Sequence, residues 1–152
     1  MPTSLPIQKL KAFLQTHPRL FVLTGAGIST ASGIPDYRDS NGDWKRPAPV
    51  QYRDFVDQAK TRQRYWARSL VGFARLDHAE PNAAHRALVG LEQHLNLELL
   101  VTQNVDGLHQ KAGSRRVLDL HGRLDVVECL RCRARSSRHD FQRRLRELNP
   151  SF

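Results

Sequence analysis

Short apolar runs, each stopping at a glycine or a polar cluster, constrain this chain more than any other feature. Arg19-Leu20-Phe21-Val22-Leu23-Thr24 ends at Gly25-Ala26-Gly27, and Leu97-Glu98-Leu99-Leu100-Val101-Thr102 lies between Asn96 and Asn104. Val117-Leu118-Asp119-Leu120 runs into His121-Gly122, and Asp125 to Glu128 makes a fourth such segment. All are strand-length and rich in aliphatic residues. Between the first two, helical periodicity extends over roughly 50–74 and 83–94, with Pro81 and Asn82 as punctuation. Ile7, Leu10, Phe13 and Leu14, interleaved with Lys9 and Lys11, give a short amphipathic helix ahead of the first strand. Buried strands alternating with helices predict an α/β fold: a doubly wound, Rossmann-like parallel sheet. Such sheets bind ligands beyond the carboxyl ends of their strands, so the residues just after each strand are the candidate site.

The first of these is Gly25-Ala26-Gly27-Ile28-Ser29. Glycines let a backbone turn tightly and approach a pyrophosphate. The dinucleotide fingerprint needs a third glycine where this chain has Thr30, so an ordinary tight turn explains the segment equally well. Nor is Ser29 a nucleophile elbow, because Ala31 stands where G-x-S-x-G requires its closing glycine. Gly33-Ile34-Pro35-Asp36-Tyr37-Arg38 follows, presenting an acid, a ring and a guanidinium on one turn; a plain loop with a local ion pair is the simpler reading. After the second strand come Gln103, Asn104, Val105 and Asp106, whose amides and carboxylate need partners that a ligand would supply. After the third stands His121, alone but at the same sheet edge.

Taken in order and spacing, GAGIS, GIPDYR, TQNVDGLH and LHG resemble the sirtuins, the NAD-dependent protein deacylases, over about 9–150. Asp36-Tyr37-Arg38-Asp39 and Arg64-Tyr65-Trp66-Ala67-Arg68 are most similar to the class II branch. The resemblance implies that Gly25, Ala26, Gly27 and Ser29 cradle the NAD phosphates. It places Asp36, Tyr37 and Arg38 on a loop that closes over the nicotinamide ribose, with 39–49 as the rest of that lid. Gln103, Asn104, Val105 and Asp106 would line the nicotinamide and ribose pocket, and His121 would be the general base. In the family's reaction the acyl-lysine oxygen displaces nicotinamide at the anomeric carbon, and the imidazole helps deprotonate a ribose hydroxyl. The products are nicotinamide and O-acyl-ADP-ribose, and the partner is an acyl-lysine protein. Protein ADP-ribosyl transfer by the same NAD cleavage is the alternative. Tyr65 and Arg68 share a helix face where some sirtuins recognise acidic acyl groups.

By the same resemblance, 1–49 and 97–124 form the Rossmann-like part, 50–96 a helical insertion, and 125–152 the start of a zinc module. Cys129 and Cys132 match the first half of the family's structural zinc site, but they are the only two cysteines. A closed structural zinc needs four ligands, so the site is expected to be incomplete; His139 is the one nearby substitute. The whole reads as the amino-terminal half of a sirtuin catalytic domain, expected to be weak or inactive alone.

Charge adds a separate question. Lys and Arg number 24 against 15 Asp and Glu, a net charge of +9. From Lys111 onward eleven bases face five acids, with arginines at 131, 133, 135, 138, 143, 144 and 146. A solvated basic face is the favoured reading, and a non-catalytic basic binding module the rival. Phe141 alone supplies no stacking platform for nucleic acid. No apolar run approaches membrane-spanning length. The absence of a secretory segment favours a reducing cytoplasm over the mitochondrial matrix.

Overall fold

A computed structural model describes residues 5–39, 41–45, 49–94 and 96–152. Of the expected lid, Ser40 and 46–48 lie outside the described residues. Helix α1 (Leu5–Thr16) is followed by strand β1 (Arg19–Thr24) and a 3₁₀ turn (Ala26–Ser32). Helices α2 (Tyr52–Asp57), α3 (Ala59–Asp77) and α4 (Ala83–His94) lead to β2 (Asn96–Thr102). Then come α5 (Leu108–Ala112), β3 (Val117–Asp119), β4 (Val126–Glu128), β5 (Arg135–Ser137) and α6 (Arg138–Leu148).

The first three strands form a parallel sheet in the order β1-β2-β3. Its register sets Thr24 beside Thr102 and Thr102 beside Asp119. The three strands therefore end level, and the segments starting at Gly25, Gln103 and Leu120 leave from one edge. Further bonds tighten that edge: Gln103 N–H donates to the Thr24 carbonyl at 3.0 Å and Leu120 N–H to the Thr102 carbonyl at 2.9 Å. One face of the sheet is sealed. Leu20, Leu97 and Leu100 are buried, and α4 packs on β2. The opposite face carries Phe21, Leu23, Leu118 and Leu120, each about half or more exposed. Among the described residues the helices of a doubly wound sheet thus cover one face only.

Two details differ from the sequence expectation. The single helical stretch over 50–74 is two helices, broken at Gln58, whose extended φ of −116° and ψ of 114° interrupt the spiral. The glycine turn opens a 3₁₀ helix rather than an α-helix, with no side chain capping its start. The fourth strand forms within 125–152 and outside the parallel sheet: β4 pairs antiparallel with β5 as a separate hairpin.

That hairpin leads into α6, whose N-terminus is capped by Ser137 accepting from the His139 N–H at 3.1 Å. Helix α6 docks on α3. Arg138 is 2% exposed, stacks 4.2 Å over the Phe73 ring, and donates to the Ser69 hydroxyl at 2.9 Å. It is therefore a packing residue, not part of a solvated basic face. Gln142 donates to the Leu70 carbonyl at 2.8 Å, and Trp66 meets Phe141 with ring centroids 4.6 Å apart. Arg133 and Arg135 both pair with Glu128, and Arg143 with Asp140, so acids on the same module offset much of the basic tail. No described helix is long and apolar enough to cross a membrane.

Candidate functional site

The level strand ends produce a pocket of about 670 Å³. Ala26, Gly27 and Ser29 form one wall, and Asp36, Tyr37 and Arg38 another. Gln103, Asn104, Val105 and Asp106 approach from the end of β2, and His121 from the end of β3. Gly25 does not line the pocket directly; its carbonyl accepts from the Asn104 Nδ2 at 3.1 Å. The sequence reading had not anticipated Ile34, Trp44, Pro49, Leu76 and Leu124, which add an apolar lining. Only their spacing around the motifs could have suggested them.

A hydrogen-bond network fixes the pocket's floor. Asn104 Nδ2 also donates to the Ser29 Oγ at 3.0 Å, and Ser29 Oγ donates to the Asp106 Oδ2 at 2.7 Å. Asp106 Oδ1 accepts from the Leu108 N–H at 3.0 Å, which anchors the carboxylate at the start of α5. Gly107 precedes that helix at φ +71°, a left-handed conformation that favours glycine and lets the chain turn directly after Asp106. Ser29 is 1% exposed, so its hydroxyl is held by these partners rather than by water. At Gly25 and Gly27 an added Cβ would meet no protein atom within 4 Å. The glycine turn therefore faces open space that a ligand can occupy.

His121 is exposed on the pocket's rim, and its Nδ1 stands 3.0 Å from the Gln103 carbonyl. A carbonyl accepts only, so Nδ1 is the donor, and in the neutral ring Nε2 keeps its lone pair. The strand end thus selects the tautomer a general base needs. Gly122, at φ +79°, turns the chain away immediately afterwards.

The Asp36 loop is folded on itself. Asp36 pairs with Lys45 at 2.6 Å rather than with Arg38. Arg38 donates to the Gly42 carbonyl at 2.6 Å and stacks 4.0 Å from the Trp44 ring centroid, and the backbones of Arg38 and Trp44 form a β-bridge. Tyr65 packs edge-on against Phe55 and Trp66, with centroids 5.0 and 5.2 Å away. Neither it nor Arg68 is among the described residues lining the pocket.

Cys129 and Cys132 are exposed on the β4–β5 hairpin. Hydrogen bonds from the Cys132 and Arg131 backbone, and from the Cys132 side chain, hold the Cys129 thiol below its ordinary pKa. His139 is engaged elsewhere: its Nε2 lies 3.2 Å from Asp77, and its ring packs edge-on to Phe73. Among the described residues no group of three or more potential ligands exists. Two thiols do not fit a closed four-ligand zinc site, and no step below depends on one.

Comparison with known proteins agrees with this geometry. The Sir2 family model matches residues 25–151. An NAD-dependent protein deacetylase of Xanthomonas axonopodis pv. citri is 59% identical over 143 residues, covering 94% of this chain and 49% of that protein. The NAD-dependent protein deacylase Sirt4 of Drosophila melanogaster is 50% identical, covering 96% of this chain and 48% of its own length. A solved Sir2 enzyme structure superposes with a TM-score of 0.75 at 37% identity, over 93% of this chain and 56% of its own. A Sir2 complex with a p53 peptide and NAD+ gives 0.71 at 37% identity, over 88% and 53%. A parallel α/β sheet with a pocket beyond its strand ends defines a Rossmann-like class of protein. Within that class, the chain belongs to the Sir2 family. It spans about half the length of the curated relatives it matches.

Proposed function

We propose that this pocket binds NAD and serves NAD-dependent removal of acyl groups from protein lysine. The observation that carries the reading is His121, whose anchored Nδ1 leaves Nε2 as a base beside the Ser29–Asn104–Asp106 network and the open glycine turn. The residues fit the dinucleotide. Gly25 to Ser29 offer backbone at a site where no side chain intrudes. Asn104 spends its amide hydrogens on Gly25 and Ser29, which holds that turn against the β2 end.

Bound NAD would supply a ribose from which nicotinamide leaves, and that ribose would take the acyl group from lysine, freeing the amine. The protein's part is to orient and to move protons. Asn104 and Asp106, rigidly tied to Ser29, hold the ribose end of the pocket in one geometry. Tyr37, Trp44, Leu76 and Leu124 provide an apolar side to the pocket. His121 Nε2 takes the proton from a ribose hydroxyl, and the Gln103 carbonyl stabilises the charged ring through Nδ1. An acyl-lysine protein is the partner this chemistry requires.

The test is a chimera in which this chain replaces the matching half of the Xanthomonas relative. Given NAD and an acetyl-lysine peptide, it should release nicotinamide and deacetylated peptide in equal amounts. Nicotinamide release without deacylation would point to a different acceptor, and no release at all would refute the reading.

A further inference from the structure

Two buried histidines lie beneath the pocket and take no part in the chemistry above. His85, on α4, is 0% exposed, and His109, on α5, is 1% exposed. Their ring centroids are 4.9 Å apart. His85 Nδ1 accepts from the Asn82 N–H at 3.3 Å, so in the neutral ring Nε2 carries the proton; that buried Nε2 has no partner. His109 Nε2 lies 2.9 Å from the Thr24 Oγ1, whose hydroxyl donates to the Val101 carbonyl at 3.5 Å. With the hydroxyl hydrogen directed at Val101, the Thr24 oxygen accepts from His109 Nε2, and His109 Nδ1 is then an unprotonated acceptor; that buried Nδ1 has no protein partner. One ring offers an unmatched donor and the other an unmatched acceptor, and buried polar groups of this kind are normally satisfied.

We propose that His85 and His109 form an uncharged, directional hydrogen-bond relay that positions the two halves of the cofactor pocket against each other, both being positioning residues. The relay runs from Asn82 through His85 and His109 to Thr24, with one buried water taking the His85 Nε2 hydrogen and donating to His109 Nδ1. Its ends explain what it would fix. Asn82 caps α4 by accepting from Ala84 N–H at 2.9 Å, and its Nδ2 grips the 3₁₀ turn at the Ile28 carbonyl (2.7 Å) and Ser32 hydroxyl (3.0 Å). Thr24 is the last residue of β1, directly before Gly25, and its carbonyl receives the Gln103 N–H. His109 itself follows Asp106 by one turn. The two ends of the relay thus meet residues that touch the glycine turn and the Gln103–Asp106 segment, in addition to the network on the pocket's floor.

Charge on either ring would put two donors face to face and break the direction. The surroundings oppose it. Burial lowers both pKa values, that of His109 to about 4; each ring also feels Asp106, which raises it, His109 feels Asp119 in the same sense, and Arg86 lowers His85.

The test rests on the NAD reading only in its second half. First, ring ¹⁵N NMR of the full 152-residue chain should show both histidines neutral at pH 6.5 with the proton on Nε2. An Nδ1–H tautomer at either ring, or a charged His109, overturns the relay whatever the ligand. Second, His85→Asn keeps the acceptor toward Asn82, and His109→Gln keeps the donor toward Thr24, while each removes one inner partner. Each should weaken NAD binding about 10-fold, and the double variant no more than either single one, because they break one shared link. Losses that multiply to about 100-fold would mean independent structural roles and overturn the proposal. If the chain shows the relay tautomers but its chimera with the Xanthomonas relative, in which the variants are also compared, binds no NAD, the cofactor reading fails and the positioning role falls with it.

Discussion

His121→Ala, introduced into the chimera with the Xanthomonas relative, should cut kcat by about 10²- to 10⁴-fold, the range for losing a positioned general base. The KM for NAD should stay within a few-fold. The reason is geometric: His121 is held at the rim by one bond to the Gln103 carbonyl, whereas the Ser29–Asn104–Asp106 network holds the floor without it. Truncating the ring therefore removes a proton acceptor and no part of the binding frame. Steady-state rates over NAD concentration separate the two parameters. An equal rise in KM with kcat unchanged would show that His121 binds rather than reacts.

A second large effect is acid destabilisation centred on His109. Its pKa is lowered from 6.5 to about 4 in the folded protein, chiefly by burial and next by the neighbouring His85. Between those values the unfolded chain binds more protons than the folded one, so unfolding becomes easier as pH falls. The stability is complete above pH 6.5 and is lost progressively down to about pH 4, amounting to about 3 kcal/mol for a shift of this size. His85, lowered in the same direction, adds to it. Urea titrations at pH 7.5, 5.5 and 4.2 should show the midpoint falling, with the fall reduced in His109→Gln. A variant that follows the unsubstituted curve throughout would show that carboxylates alone set the acid limit.

What the sequence revealed and concealed follows from the range of the interactions involved. The strands were legible because β1, β2 and β3 are short aliphatic runs with hard stops, and their ends carry polar residues that have no role in a core. Once parallel pairing is assumed, the convergence of Gly27, Asn104 and His121 follows from the topology. The break at Gln58 was not legible, since an extended residue inside a helical period leaves the hydrophobic spacing nearly intact. Arg138 also misled. Its charge suggests solvent, but the Phe73 ring and Ser69 that bury it come from about 70 residues away. His85 and His109 were equally hidden: each reads as an ordinary helical residue, and only the fold brings the rings together.

The vacant volume beside Gly27 gives experimental chemistry a handle. Gly27 lines the pocket, no atom beyond its local backbone and chain neighbours lies within 4 Å of a Cβ there, and its backbone is not in the left-handed region, so on the NAD reading Gly27→Ala should leave folding untouched while its methyl group narrows the space for the dinucleotide. Such a variant is a cleaner inactive control than one that cuts the Ser29–Asn104–Asp106 network. It also suggests a bump-and-hole pair. A dinucleotide analogue trimmed where the methyl group intrudes would be accepted by the altered pocket, and the natural dinucleotide would be refused, which lets one enzyme in a mixture be addressed separately from its relatives.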